Sequence, residues 1–324
     1  MKSFIITIDT EGDNLWNWQV GGAEITTENA KYLPRFQTLC DEFGFKPVWL
    51  TNYEMVKNPD YINFSRKAMR EGRCEIGMHL HAVNNPPLYD LKVAHPANFP
   101  YLIEYPEEIM EEKIATLQKL LKETYEEDIV SHRAGRWAMN ESYTKLLNKY
   151  GIKVDCSVTP GISWYDTSGI TENSHGTDYS NTPKNPFYLD KERTLLEVPV
   201  SIRRIHYGDS PSLNPISILR YIKHRIVGYD AWLRPSGKNL KEMLSLVDKL
   251  EVDKNDYLMF MLHSSKMMPG GSPTFRTSED IEYLYNDLRV LFSRISSFCE
   301  GKTLKEYAGM KSSSESDIEY KQVF

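Results

Sequence analysis

Apolar runs and amphipathic stretches take turns along this chain. Phe4-Ile5-Ile6-Thr7-Ile8 is apolar and β-branched, which predicts a strand buried on both faces. Lys46–Thr51, Cys74–His81, Ile129–Arg133, Lys153–Val158, Leu195–Val200 and Tyr257–His263 read as six further strands. Between them, apolar residues recur at helical spacing. Tyr32, Phe36, Leu39 and Phe43 form one such stripe, opened by Thr27 and closed by Gly44. Asp60 is read as the cap of a short second helix. Residues 106–126 give the clearest helix, with Ile109, Ile114, Leu117, Leu120 and Leu121 set between charges. Asn140 caps the next, and Thr277 or Ser278 caps a long last helix carrying Ile281, Leu284, Leu288, Leu291 and Ile295.

Strand and helix alternate about seven times, which predicts an α/β fold on a parallel sheet, open or closed as a barrel. No short-period repeat and no clear linker interrupts the pattern. We therefore expect a single domain over residues 1–308, with insertions near 82–105, 159–193 and 205–237. A serine-rich mobile tail is expected over 309–324. The insertions follow strand ends, where α/β enzymes place their sites.

Composition narrows the function. Of 324 residues, 40% are hydrophobic and 26% charged, as in ordinary globular proteins. The net charge of −6 leaves no basic excess for nucleic acid. No run of about 18 apolar residues exists, so no membrane span is expected. Cys40, Cys74, Cys156 and Cys299 are scattered without a CxxC pair, which fits reduced structural thiols. No leader is read before the first strand, and the expected location is cytoplasmic.

Four strand ends carry reactive side chains: Asp9 and Glu11, His79 and His81, Arg133 and Arg136, and His263. Residues two apart on a strand share a face, so each of the first two pairs can point one way. Imidazoles with a carboxylate suit zinc or a similar divalent cation. A second carboxylate can serve as base and a further histidine as acid. Arg133, ending an apolar strand, suits a carboxylate partner or substrate. His95, His132, His175, His206 and His224 read as structural or solvated. Trp16, Trp18, Trp137 and Trp164 are loop aromatics with faces available for stacking.

The order of these segments resembles the NodB-homology polysaccharide deacetylases, carbohydrate esterase family four. Thr7-Ile8-Asp9-Thr10-Glu11-Gly12 is similar to that family's first motif, His79 to the first histidine of its second, and Arg133-Ala134-Gly135-Arg136 to its third. The second histidine of the family pattern falls on Val83, so His81 takes that role from another place. Asp155 matches the fourth motif and Met259–His263 the fifth. The resemblance spans residues 4 to about 300. It implies a distorted (β/α)7 barrel. It also implies Asp9 as base, Glu11, His79 and His81 as ligands of a divalent metal, with Zn the expected ion, and Arg133 as the group orienting Asp9. The Arg136 backbone N–H would help hold an oxyanion, His263 would be the general acid, and Trp137 and Asp155 would meet the substrate. The implied activity is metal-dependent hydrolysis of an N-acetyl or N-formyl group on a sugar in polysaccharide or glycan biosynthesis. The alternative is an inactive protein of the same fold that binds carbohydrate or a partner enzyme.

Overall fold

The computed structural model describes residues 1–206, 215–313 and 318–324. Part of the third expected insertion, residues 207–214, and part of the expected tail, 314–317, lie outside the described residues. In chain order the strands are β1 (Lys2–Thr10), β2 (Pro47–Thr51), β3 (Glu75–Leu80), β4 (Ser131–Ala134), β5 (Val154–Asp155), β6 (Phe187–Tyr188), β7 (Leu196–Glu197), β8 (Ile202–Ile205), β9 (Tyr229–Trp232), β10 (Tyr257–His263) and β11 (Cys299–Gly301). The helices are α1 (Leu33–Glu42), α2 (Pro59–Arg70), α3 (Glu107–Tyr125), α4 (Glu141–Lys149), α5 (Pro215–Ile226), α6 (Leu240–Val252), α7 (Ser278–Ser296) and α8 (Leu304–Ser313).

The seven expected strands are present and run parallel, in the order β10-β1-β2-β3-β4-β5-β7. β1 lies between β10 and β2 and is buried from Ser3 to Thr10, as its apolar run requires. β6 adds antiparallel to β7, and β11 pairs with the start of β1. The sheet curls into a distorted barrel. Its last gap, between β7 and β10, is bridged by single bonds instead of a ladder. Met259 N donates to Ser201 Oγ (2.8 Å), Met261 N to Leu233 O (3.2 Å) and the Tyr257 hydroxyl to Pro199 O (2.6 Å). Pro199 has no N–H to give, so regular pairing stops there.

Helices cover the outside. The α7 stripe expected from the sequence is buried at all five positions, and Thr277 and Asp280 cap it reciprocally. Asn140 caps α4 by accepting from Tyr143 N. At α2 the cap is Asn58, not Asp60: Pro59 takes the first helical position, and the Asn58 side chain accepts from Asp60 N and Tyr61 N.

Two features bear on the site. Lys113 lies on the apolar face of α3, 1% exposed, and its ammonium donates to Ala82 O, Asn85 O and Pro87 O at 2.9, 2.6 and 2.6 Å. All three N–H donors are used, which ties the insertion after β3 to the barrel. Residues 318–324, within the expected tail, lie against the barrel. Tyr320 bridges to Tyr188, Ile318 is buried, and Phe324 packs edge-on against Tyr179. These apolar residues carry the segment back onto the barrel.

Candidate metal and hydrolytic site

Strand register brings the reactive side chains together. β1 and β10 set Asp9 beside His263, and β3 and β4 set His79 beside Arg133. The carboxyl ends of these strands form the floor of a pocket of about 370 Å³, the place where parallel α/β folds bind ligands.

Arg133 fills the barrel interior, fully buried. Its Nη1 donates to Asp9 Oδ1 at 2.6 Å, Nη2 to Thr7 Oγ1 at 2.8 Å and Nε to Cys156 O at 3.1 Å. The guanidinium also lies 5.0 Å from the Trp137 ring centre. Burial alone would push the Asp9 carboxyl up, but Arg133, His79 and His263 overcome it and hold it below its ordinary value. Asp9 is therefore ionised at neutral pH, with Oδ1 committed to Arg133 and Oδ2 facing the pocket side, 3.8 Å from His263 Nε2.

Glu11, His79 and His81 form a compact, buried trio whose ligand atoms lie within 4.8 Å of one another. Glu11 Oε2 is 2.9 Å from His81 Nε2 and 3.4 Å from His79 Nε2. The two imidazoles hold the Glu11 carboxyl far below its ordinary range against the opposing effect of burial. Glu11 is fixed through its backbone: its N–H donates to Ser264 Oγ (3.0 Å), and Asn29 Nδ2 donates to its carbonyl (2.8 Å). His79 Nδ1 donates to the Arg133 carbonyl at 2.9 Å. That bond fixes the tautomer and turns Nε2 toward Glu11, the outer-shell arrangement that metal-ligating histidines use. His81 is held by its backbone N–H to Asn52 Oδ1 (3.1 Å) and by edge contact with Phe99 (5.0 Å). Gly135 makes room for it: a Cβ there would sit 2.8 Å from His81 Nδ1 and 2.5 Å from Leu80 O. The donor set, one carboxylate and two imidazole nitrogens aimed at one point, fits a zinc-like divalent cation.

His263 closes the far side, with Nε2 3.9 Å from Glu11 Oε1. Burial pushes its imidazole down to about 4 despite both carboxylates. Trp16 packs edge-on against it at 5.2 Å and is anchored by its indole N–H to Ser265 Oγ (3.0 Å).

Of the residues singled out from the sequence, Asp9, Glu11, His79, His81, Arg136, Trp137 and His263 line the pocket, as do Trp16 and Trp164. Arg133 stands behind Asp9. Trp18 does not reach the pocket; it packs on Phe99. Asp155 is a correction. It is fully buried away from the pocket, where it accepts from His132 Nδ1 (2.6 Å) and from Ser157 N and Oγ (2.9 Å each). The register opposite His132 puts Asp155 on that residue's face of the sheet, so it cannot meet substrate. His132 is structural as expected, with Nε2 accepting from the Tyr143 hydroxyl at 2.8 Å.

Sequence reasoning misses Phe99, Tyr101, Thr167 and Arg234, which complete the pocket wall from three different insertions. Their only signal is that they lie in long segments after strand ends.

Comparison with solved structures agrees with this architecture. A putative polysaccharide deacetylase from Mycobacterium smegmatis aligns over 100% of this chain and 93% of its own, at 15% identity and a TM-score of 0.54. A putative glycoside hydrolase/deacetylase from Parabacteroides distasonis aligns over 98% and 73%, at 11% identity and a TM-score of 0.61. The chain has the polysaccharide deacetylase fold. The 4-alpha-glucanotransferase of Thermococcus litoralis shares it too, at 16% identity and a TM-score of 0.59, with this chain spanning 42% of that protein's length. No family model and no curated protein matches the sequence. Among the described residues, no helix is long and apolar enough to cross a membrane.

Proposed function

We propose that this protein is a metal-dependent carbohydrate N-deacylase, removing an N-acetyl or N-formyl group from a sugar in polysaccharide or glycan biosynthesis. The observation that carries the reading is the meeting, in one pocket, of a buried Asp9–Arg133 pair with the Glu11-His79-His81 trio. A structural ion pair alone would not need a second carboxylate and three histidines around it. The names of two fold relatives, a polysaccharide deacetylase and a glycoside hydrolase/deacetylase, point the same way.

Glu11, His79 and His81 would hold the ion, zinc by preference, which when bound supplies polarisation of the acyl oxygen and a more acidic water. The protein's own groups do the rest. Asp9 Oδ2 takes a proton from the attacking water as a C–O bond forms. Arg133 keeps Asp9 ionised and aimed. The Arg136 backbone N–H, in a turn with φ 55°, helps carry the oxyanion. His263, neutral at rest, takes up the proton that Asp9 has accepted from the water and hands it to the departing nitrogen as the C–N bond breaks, giving a free amine and a carboxylic acid that then ionises to solvent. Trp16, Trp137 and Trp164 offer faces and edges for the sugar ring.

The buried, unpaired cysteines support a reducing, cytoplasmic setting. That setting favours a nucleotide-linked, lipid-linked or otherwise intracellular sugar over a finished wall polymer.

The test is zinc analysis of the purified protein with acetate or formate release from a panel of N-acylated sugars. We expect stoichiometric zinc and turnover that Asp9→Asn abolishes. Full activity in Asp9→Asn would remove Asp9 as base. A protein that takes up no zinc on reconstitution and releases no acid would be a binding protein of this fold.

A further inference from the structure

The pocket holds more positive charge than its own acids answer. Asp9 is answered by Arg133, and Glu11 is turned to His79 and His81 in the candidate metal site. That leaves Arg136 and Arg234, both half-buried on the pocket wall and neither within ion-pair distance of a carboxylate among the described residues.

The two are held differently. Arg136 is fixed by neutral groups: it donates to Phe99 O and to Ser168 O (3.1 Å) and lies over the Tyr101 ring at 3.8 Å. Arg234 follows β9 and lies over Trp232, its guanidinium carbon 4.3 Å from the ring centre. Among the described residues its guanidinium makes no hydrogen bond. Beside it, the buried Lys266 donates to Pro235 O at 2.9 Å, adding a second cation in place of a counter-ion. Burial pushes the Arg234 guanidinium down from its ordinary value against the more distant charges of Asp9 and Glu242, and the Lys266 ammonium down to about 8. Trp232 packs edge-on against Trp137 (5.8 Å) and Trp164 (6.3 Å), so Arg234 stands on the aromatic wall of the pocket.

Stacking on Trp232 accounts for where Arg234 lies. It does not account for five N–H donors left unspent in a partly desolvated wall. A guanidinium kept in such a place is matched when a carboxylate or phosphate docks on it, often through two parallel bonds. A neutral sugar hydroxyl would leave the charge unanswered.

We propose that Arg234, with Arg136 as a second positive wall, binds an anionic oxygen group of the substrate, so that the sugar is acidic: a carboxylate or a phosphate accompanies the N-acyl group. The proposal takes from the preceding section that a sugar occupies this pocket; anion binding itself requires no turnover.

The experiment measures binding by calorimetry to the zinc-loaded protein. The probes are N-acetylglucosamine, N-acetylglucosamine 1-phosphate and an N-acetylhexosaminuronate. We expect at least one acidic sugar to bind on the order of 10- to 100-fold tighter than the neutral one. Arg234→Ala should erase that ratio, and Arg234→Lys should keep part of it. The stronger acidic probe tells phosphate from carboxylate. Equal binding of all three sugars to the wild type, or an unchanged ratio in a folded Arg234→Ala, overturns the proposal. Should the alanine variant not fold, the wild-type ratio and the lysine variant decide. Acetate release is followed separately. Preferential binding of an acidic sugar with no release of acetate, or of formate from its N-formyl counterpart, would sink the deacylase reading and keep this one. Release from neutral sugars that ignores Arg234 would do the reverse.

Discussion

The Arg133 guanidinium crosses the barrel interior to reach Asp9 Oδ1 at 2.6 Å, and neither side chain is more than 3% exposed. Two buried charges are tolerable here because each has further partners: Thr7 Oγ1 and Cys156 O for the arginine, and the histidines facing the carboxylate. Removing one partner is then worse than removing both. Arg133→Met should cost about 3–5 kcal/mol by leaving an unanswered carboxylate in the barrel. Asp9→Asn should cost less, because the amide oxygen still accepts from Arg133. The double variant should be more stable than the sum of the two losses. Urea unfolding of the three variants reads this directly, and strict additivity would mean that the pair is not energetically coupled.

His81 is expected to be a ligand although the family pattern places its second histidine four residues after the first, at Val83. On β3 the alternation of faces turns His79 and the residue two beyond it the same way, and the structure puts His81 Nε2 2.9 Å from Glu11. His79→Ala, His81→Ala and Glu11→Ala should each weaken zinc binding by more than about 100-fold, since even outer-shell partners matter at 10- to 100-fold. Competition with a chromophoric chelator measures it. Wild-type affinity in His81→Ala would move the ligand role elsewhere.

Gly135 permits that placement by lacking a side chain. A Cβ would press on Leu80 O and His81 Nδ1 at 2.5 and 2.8 Å, and the first of these is backbone that cannot swing aside. Gly135→Ala should therefore displace His81, weaken zinc binding and cost about 1–3 kcal/mol of stability. A variant that keeps wild-type zinc affinity and melting temperature would show that the turn after β4 yields easily.

The legible parts of the molecule are those written in long runs. β1 and β10 are unbroken apolar stretches, and α7 shows its whole buried stripe, so element type followed from periodicity alone. β5 and β7 keep only two paired residues each, and β6, β8, β9 and β11 are too short or too polar to declare themselves. The site was legible where a reactive residue ends such a run, as at Asp9, His79, Arg133 and His263. Asp155 was misread because a strand-end acid reveals its position but not its face. Arg234 was invisible because its meaning lies in what is missing around it, and a sequence does not display a missing counter-ion.

That buried acid, Asp155, leads to a prediction about pH. It stays ionised, held below its ordinary value against burial by His132 and Ser157, while burial and the Asp155 charge push the neighbouring Glu197 well above its own. Glu197 Oε1 accepts from Val158 N at 3.0 Å, and Oε2 is buried without a donor. A proton on Oε2 serves both carboxyl groups, so folded Glu197 is protonated where the unfolded chain has lost that proton. The folded state then binds more protons than the unfolded state above the unfolded carboxyl value. The stability that Glu197 supplies is full below pH ~4.3 and declines as pH rises toward its folded value, by up to about 1.4 kcal/mol per pH unit. Glutamine imitates the protonated acid without titrating. Glu197→Gln should therefore lose this slope, and its stability relative to wild type should grow from pH 5 to pH 8 in parallel thermal melts. If the two proteins keep a constant difference across that range, Glu197 is ionised in the folded protein and the shared-proton account of this network is wrong.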